Sequence, residues 1–373
     1  MISDWTLWLE WFIKSLVIAL ALLAGFIVLT WYERRALARI QTRIGPNRAG
    51  PFGLFQPFAD AIKLVFKEEL TPAKADKLLF FWAPIITMVP SIIMAAVIPW
   101  GSEITLFGKT YSLYLVDINV GLLYFMSVAS IAVYGIVLAG WSSNSKYAML
   151  GGLRSTAQMI SYELSLGLSL IPVILLANSM SMVDIVNDQS SLWYIVLQPV
   201  GAVIFWIATL AEVNRAPFDM PEAEQELTAG YHTEYSGMKF ALFYMAEYQK
   251  MIVICAMLAS LYLGGFRGPF VDQYPLLGPV YLIIKVVILL FGMIWVRATW
   301  PRIRYDRLMA FGWKIMLPLS LAITFITAAG IILQAETGND IYFWAIPVFS
   351  IISGLMAVVF VYRTLRRLPY ERA

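Results

Sequence analysis

The sequence predicts an all-α polytopic membrane protein of about nine transmembrane helices, with an amphipathic helix on the cytoplasmic side. Three observations carry that prediction. The mean hydropathy is +0.73, and apolar runs near twenty residues recur along all 373 residues, leaving no stretch for a separate soluble domain. Lys and Arg alternate in density from one loop to the next, as they do when successive loops face opposite sides of a bilayer.

The expected spans are 12–31, 80–99, 119–140, 157–177, 193–211, 240–264, 279–299, 312–333 and 342–362. The first is read as a true span and not a cleavable signal, because Asp4 and Glu10 precede it instead of positive charge. Loop 32–79 carries Arg34, Arg35, Arg39, Arg43, Arg48, Lys63, Lys67, Lys74 and Lys77. On the opposite side stand only Lys109 in 100–118 and Arg267 in 265–278, with nothing in 178–192 or 334–341. The N-terminus is therefore expected outside, with the first loop, the 212–239 loop and the C-terminus in the cytoplasm. Pro84, Pro90, Pro172, Pro199, Pro318 and Pro347 fall inside the spans, where each frees a backbone carbonyl and is expected to kink its helix.

After the first span, IGPNRAGPFG packs Gly and Pro at turn density, so the chain reverses. Residues 54–69 then repeat at helical period. Gln56, Asp60, Lys63 and Lys67 form one stripe, and Phe55, Phe58, Ile62, Val65 and Phe66 form the opposite face. Such a helix is too short and polar to span and should lie in the interface. Serving as a surface anchor is one reading; a hydrophobic crevice with Asp60 as its polar end, suited to a lipid-like ligand, is the other.

Composition excludes several chemistries. One cysteine, Cys255, cannot form a disulfide framework or ligate an iron–sulfur cluster. One histidine, His232, cannot supply a bis-histidine haem site, and hydrogen bonding is its expected role. No Gly-rich nucleotide fingerprint follows a strand–helix unit. No metal site and no redox carrier are expected on this chain.

Against that background, 212–247 is anomalous. It holds Glu212, Asp219, Glu222, Glu224, Glu226, Glu234 and Glu247 against only Arg215 and Lys239. Asp219-Met-Pro-Glu222 reads as a helix N-cap, with a short helix expected through Glu226. Glu163 lies within the fourth expected span, Glu247 within the sixth with Lys250 three residues on, and Lys285 within the seventh. Charges at membrane depth are costly and default to a functional reading. An interhelical or local ion pair, for example Glu247 with Lys250, is weighed against a proton path. Three acids on successive helices leading to an acidic loop favour the path.

The segments WYERRALARIQTRIGPNRAGPFGLFQPFADAIKLVFKE and AEVNRAPFDMPEAEQELTAGYHTEYSGMKFALFYMAEY, with AGWSSNSKYAMLGGLRSTAQMISYELSL between them, closely resemble the H subunit (subunit 1) of proton-pumping NADH:quinone oxidoreductase, respiratory complex I. The likeness runs from about Trp31 to Arg307; the 101–118 loop and the last span depart from it. It implies a membrane subunit, without FMN, iron–sulfur cluster or haem of its own, that encloses the membrane end of a quinone channel. The implied partners are peripheral-arm subunits carrying the terminal iron–sulfur cluster, and small membrane and antiporter-like subunits, in a bacterial plasma membrane; no nucleic acid is implied. By position in the motifs, Glu33, Arg34, Asp60, Lys63 and Phe66 would line the quinone site. Glu212, Arg215, Asp219, Glu222, Glu224 and Glu226 would form an acidic connection that Glu163 and Glu247 continue into the membrane. No carboxylate occurs within 119–140, where some relatives carry one. A homologous membrane subunit of a hydrogenase or formate-oxidising complex, and a stand-alone cation/proton transporter, remain as alternatives.

Overall fold

The computed structural model describes residues 2–106, 109–219 and 229–367. Among them, eight helices are long and apolar enough to cross a bilayer, and they fall on eight of the nine expected runs. They lie within α1 (Ile2–Ile40), α3 (Lys77–Ile93), α4 (Gly121–Ser142), α5 (Lys146–Ala177), α9 (Gly237–Tyr262), α10 (Leu277–Thr299), α12 (Leu317–Thr337) and α13 (Ile341–Arg367). Shorter helices fill the connections: α2 (Gln56–Val65), α6 (Met182–Asp188), α7 (Tyr194–Leu197), α8 (Pro199–Glu212) and α11 (Tyr305–Phe311).

The fifth run departs from expectation. It is split at Gln198, whose backbone leaves the helical region at φ −128° and ψ 56°, and α8 restarts on Pro199. A proline in the first turn lacks only an N–H that would be unpaired there anyway, so Pro199 starts a helix instead of kinking one. The 14 residues of α8 reach roughly 21 Å, short of a bilayer core of about 30 Å. A short, broken helix is tolerated at membrane depth only inside protein. That is where α8 sits: Ile204, Phe205, Ala208 and Ala211 are buried, and the buried Gln198 amide donates to Thr327 Oγ1 at 2.6 Å.

Pro318 instead lies inside one continuous helix, Tyr305–Thr337, just after a π-helical turn at Gly312–Met316 that runs α11 into α12. Pro84, Pro90, Pro172 and Pro347 also lie inside helices. Small residues let helices touch. A Cβ on Gly135 of α4 would stand 2.0 Å from Thr87 Oγ1 of α3, and one on Gly151 of α5 would stand 2.5 Å from the Gly230 backbone. Close approach of this kind is how membrane helices gain packing without a hydrophobic driving force.

The interfacial helix forms as Gln56–Val65, shorter at both ends than 54–69, and none of its residues is buried. Its apolar face, with Phe58, Ile62 and Val65 about half exposed, is available to lipid. The 101–118 loop carries a two-stranded antiparallel hairpin, β1 (Glu103–Leu106) with β2 (Lys109–Ser112). The short helix expected through Glu226, with Glu222, Glu224 and Glu226 themselves, lies outside the described residues.

Candidate functional site

The site is built at the end of the bundle where α1, α2, α9 and α10 meet the 213–219 loop. α8 ends in a turn on Asn214, which adopts the left-handed conformation at φ 55°. Arg215 N–H donates to Leu210 O at 3.2 Å and Asn214 N–H to Ala211 O at 3.3 Å. This is the Schellman pattern, which asparagine accommodates better than most residues. The Gln158 amide then fixes the loop from α5, donating to Ala211 O at 2.8 Å and to Phe218 O at 2.7 Å. Arg215 is thereby turned back into the bundle, where only 3% of it is exposed.

Arg215 lies between two acids from different helices, 2.6 Å from Glu247 and 3.6 Å from Glu33. Arg297, from the end of α10, closes on Glu33 from the other side. The Arg215 guanidinium also sits 4.3 Å from the centre of the Tyr248 ring, and the Tyr248 and Tyr244 hydroxyls are 2.8 Å apart. Two carboxylates and two guanidiniums make a neutral quartet, the condition under which charges persist out of water. Next to Glu33 in the chain, Arg34 pairs with Asp60 of α2 at 2.5 Å, and Lys63 stands 3.9 Å from the same carboxylate.

A second buried pair lies beside the quartet. Lys250 Nζ is 2.9 Å from Glu212, and both side chains are under a tenth exposed. Where the sequence allowed an i,i+3 pair of Glu247 with Lys250, each residue instead reaches a different element. Glu212, Asn214, His232, Glu247 and Lys250 line one cavity of about 40 Å³, and about 10–15 Å³ suffices for a water. Asp219 is held by Arg302 at 3.1 Å, and the helix it is expected to cap lies outside the described residues. Glu163, half-buried on α5, accepts a short hydrogen bond from Ser130 of α4. A serine on the third span thus meets the fourth-span acid where no third-span carboxylate exists. Nearby in the loop, Tyr235 stacks on Phe80 at 4.0 Å and shares a 3.3 Å hydrogen bond with Ser142. Burial pushes its phenol up to about 12, so it stays neutral.

The structure thus gathers Glu33, Arg34, Asp60, Arg215 and Glu247 at one place, with Glu212 on the adjoining cavity. Phe66, 85% exposed, and Lys63, with a largely exposed side chain, stay at the periphery. Arg297, Tyr248, Lys250, Ser130 and Arg302 are the partners that sequence reasoning did not place. Arg297 and Lys250 were visible as cations at or inside spans, but nothing in sequence spacing gave their partners.

Lys285, a further charge inside an expected span, belongs to the opposite end. Its ammonium donates to the carbonyls of Leu263, Gly265 and Arg267, each at 2.7 Å, and lies 4.8 Å from the Trp193 ring centre.

A family profile described as NADH dehydrogenase matches residues 13–328, which takes in the quartet, Asp60, Glu163 and Glu212. The chain belongs to the family of NADH-quinone oxidoreductase H subunits. It is similar to the H subunit numbered 2 in Syntrophobacter fumaroxidans, 50% identical over 88% of this chain and 98% of that protein. The H subunit numbered 1 in Geobacter metallireducens is 52% identical over 82% of this chain and 91% of its own length. The H subunit of Thermomicrobium roseum is 48% identical over 85% and 95% respectively. As an H subunit, the chain is an integral membrane protein and one component of the membrane arm of an oxidoreductase complex. The profile match stops before α13, which nevertheless packs on α12, where Ile346 lies against Gly330.

Proposed function

We propose that this H subunit walls the membrane end of a quinone site and converts the charge change of quinone reduction into proton movement along its buried carboxylates. One observation carries the reading: three sets of ion pairs follow one another from the interfacial helix into the bundle. They pass from Asp60–Arg34 to Arg297–Glu33–Arg215–Glu247 and reach the cavity shared by Glu247, Glu212 and Lys250.

The names of the relatives supply the substrate class, a quinone. The half-exposed apolar face of α2 suits a prenylated molecule arriving from the bilayer, with Asp60, Arg34 and Glu33 at its polar end and Lys63 and Phe66 at the rim. Electrons come from a partner's iron–sulfur cluster in the peripheral arm, and small membrane and antiporter-like subunits receive the output. The side bearing the quartet faces the cytoplasm, with the N-terminus outside, because loop 32–79 carries the excess of Lys and Arg.

Reduction leaves negative charge on the quinone beside Arg34 and Glu33. In a low-dielectric interior, adding one charge alters the proton affinity of every coupled carboxylate nearby. The addition draws Arg215 toward the quinone and relaxes its hold on Glu247. Glu247 then takes up a proton that the cavity, with Glu212 and Lys250 on its wall, relays toward Glu163. Asp219, Glu222, Glu224 and Glu226 supply the acidic connection on the loop side.

Replacing Glu163 with Gln in the assembled complex removes the proton-accepting charge but keeps the shape and the Ser130 hydrogen bond. The expected result is depressed coupled quinone reduction with the complex still assembled. Full coupled turnover would remove Glu163 from the path. Proton transport by the isolated subunit in liposomes would instead favour a stand-alone transporter.

A further inference from the structure

An apolar cavity lies at the end of the bundle opposite the quartet, and the quinone reading makes no use of it. It measures about 380 Å³, within the range of small-molecule sites. Its walls are Ile13, Val17 and Ala21 of α1, Leu113 and Leu115 after the hairpin, and Pro279 of α10. Residues 13–21 rise roughly 12 Å along α1, close to the depth of one leaflet's hydrocarbon. On the same helix Ile13, Leu16, Val17 and Leu20 are about half exposed, so this face meets lipid. Trp8 and Trp11, an edge-to-face pair 5.5 Å apart, stand one to two turns further out, at the level where tryptophan marks a membrane–water boundary.

Two polar features stand on the cavity wall. Lys14 Nζ is 2.5 Å from Glu10 and 2.9 Å from Ser112 Oγ, which leaves an ammonium with three donors one still to give. The indole N–H of Trp100 is buried and has no hydrogen-bond acceptor among the described residues. An indole N–H at an apolar site normally finds an acceptor.

We propose that this cavity binds one acyl chain of a glycerophospholipid from the leaflet at the N-terminal end of α1. The chain lies along Ile13–Ala21, its ester carbonyl accepts from Trp100 Nε1, and its phosphate takes the third Lys14 donor. The adjacent Glu10 carboxylate then faces the headgroup's amine, so a zwitterionic phosphatidylethanolamine fits the Glu10–Lys14 pair better than an anionic lipid. The site is independent of the quinone reading and stands or falls without it.

The test uses the complete complex reconstituted in phosphatidylethanolamine vesicles doped with the same lipid carrying a diazirine midway along one chain. After irradiation and digestion, adducts should concentrate on 13–21 and 113–115, several-fold above exposed apolar positions elsewhere, such as Phe325. Ala21→Trp, which fills the cavity from its wall, should remove that excess and leave quinone reductase activity and Phe325 labelling unchanged. Trp100→Phe, losing one hydrogen bond, should lower lipid retention through a detergent wash about five-fold. Equal labelling of 13–21 and Phe325, or an excess that survives Ala21→Trp, would overturn the proposal. So would stronger labelling there by a diazirine-tailed quinone, or a crosslink showing that a neighbouring subunit covers the cavity.

Discussion

Two cations at opposite ends of the bundle, Arg215 buried and Lys285 half-buried, are solvated in different ways. Arg215 is surrounded by Glu33, Glu247 and the Tyr248 ring. Lys285 is surrounded by three backbone carbonyls and the Trp193 ring. Both arrangements answer the same cost of desolvating a charge. The partners differ in kind, because carboxylates change charge and carbonyls do not. Lys285 staples the 263–267 turn, with its glycines at positive φ, onto α10. The proposed proton path runs through the Arg215 end and assigns Lys285 a structural role.

The sharpest break of this contrast is Arg215→Met. It takes the guanidinium from beside Glu247 and leaves Glu33 with Arg297, and removing one partner of a buried pair costs about 3–5 kcal/mol. Thermal unfolding of the purified complex should show that loss, or the subunit should fail to assemble. Lys285→Met comes next, at about 2–3 kcal/mol, since it forfeits charge-assisted hydrogen bonds to carbonyls that water near the loop partly replaces. Proton translocation per quinone reduced should then be unchanged in the complex that survives. Ser130→Ala is the mildest, at about 1 kcal/mol. It frees the Glu163 carboxylate from its anchor, and the pH profile of coupled turnover should shift while the melting temperature barely moves.

Much of the fold was legible because hydropathy is local. Runs near twenty apolar residues can hardly be anything but spans, and eight of nine became long helices. The ninth misled because hydropathy reports what 193–211 is made of and not how Gln198 and Pro199 divide it. Its burial inside protein, which permits the break, is a tertiary fact. The 54–69 stripe was read correctly in kind because periodicity survives in any short helix.

At the site, the acids were legible and their partners were not. Glu33 and Arg297 are 264 residues apart in the chain, and no spacing rule reaches that far. The nearest sequence neighbour pointed the wrong way. Glu247 and Lys250 share a face of α9 by spacing, yet Lys250 reaches Glu212 and Glu247 reaches Arg215. Ser130 gave no signal at all, since a serine in a membrane helix usually donates to its own backbone, and Met126 O does lie 3.0 Å from Ser130 Oγ.

The central claim is that titratable partners make a buried charge part of the coupling and carbonyl partners do not. It is tested most directly by the protons translocated per quinone reduced in vesicles carrying the complex with Glu247→Gln beside the complex with Lys285→Met. The account expects the ratio to fall with Glu247→Gln and to stay at the wild-type value with Lys285→Met. A wild-type ratio with Glu247→Gln, or a fall confined to Lys285→Met, would contradict it.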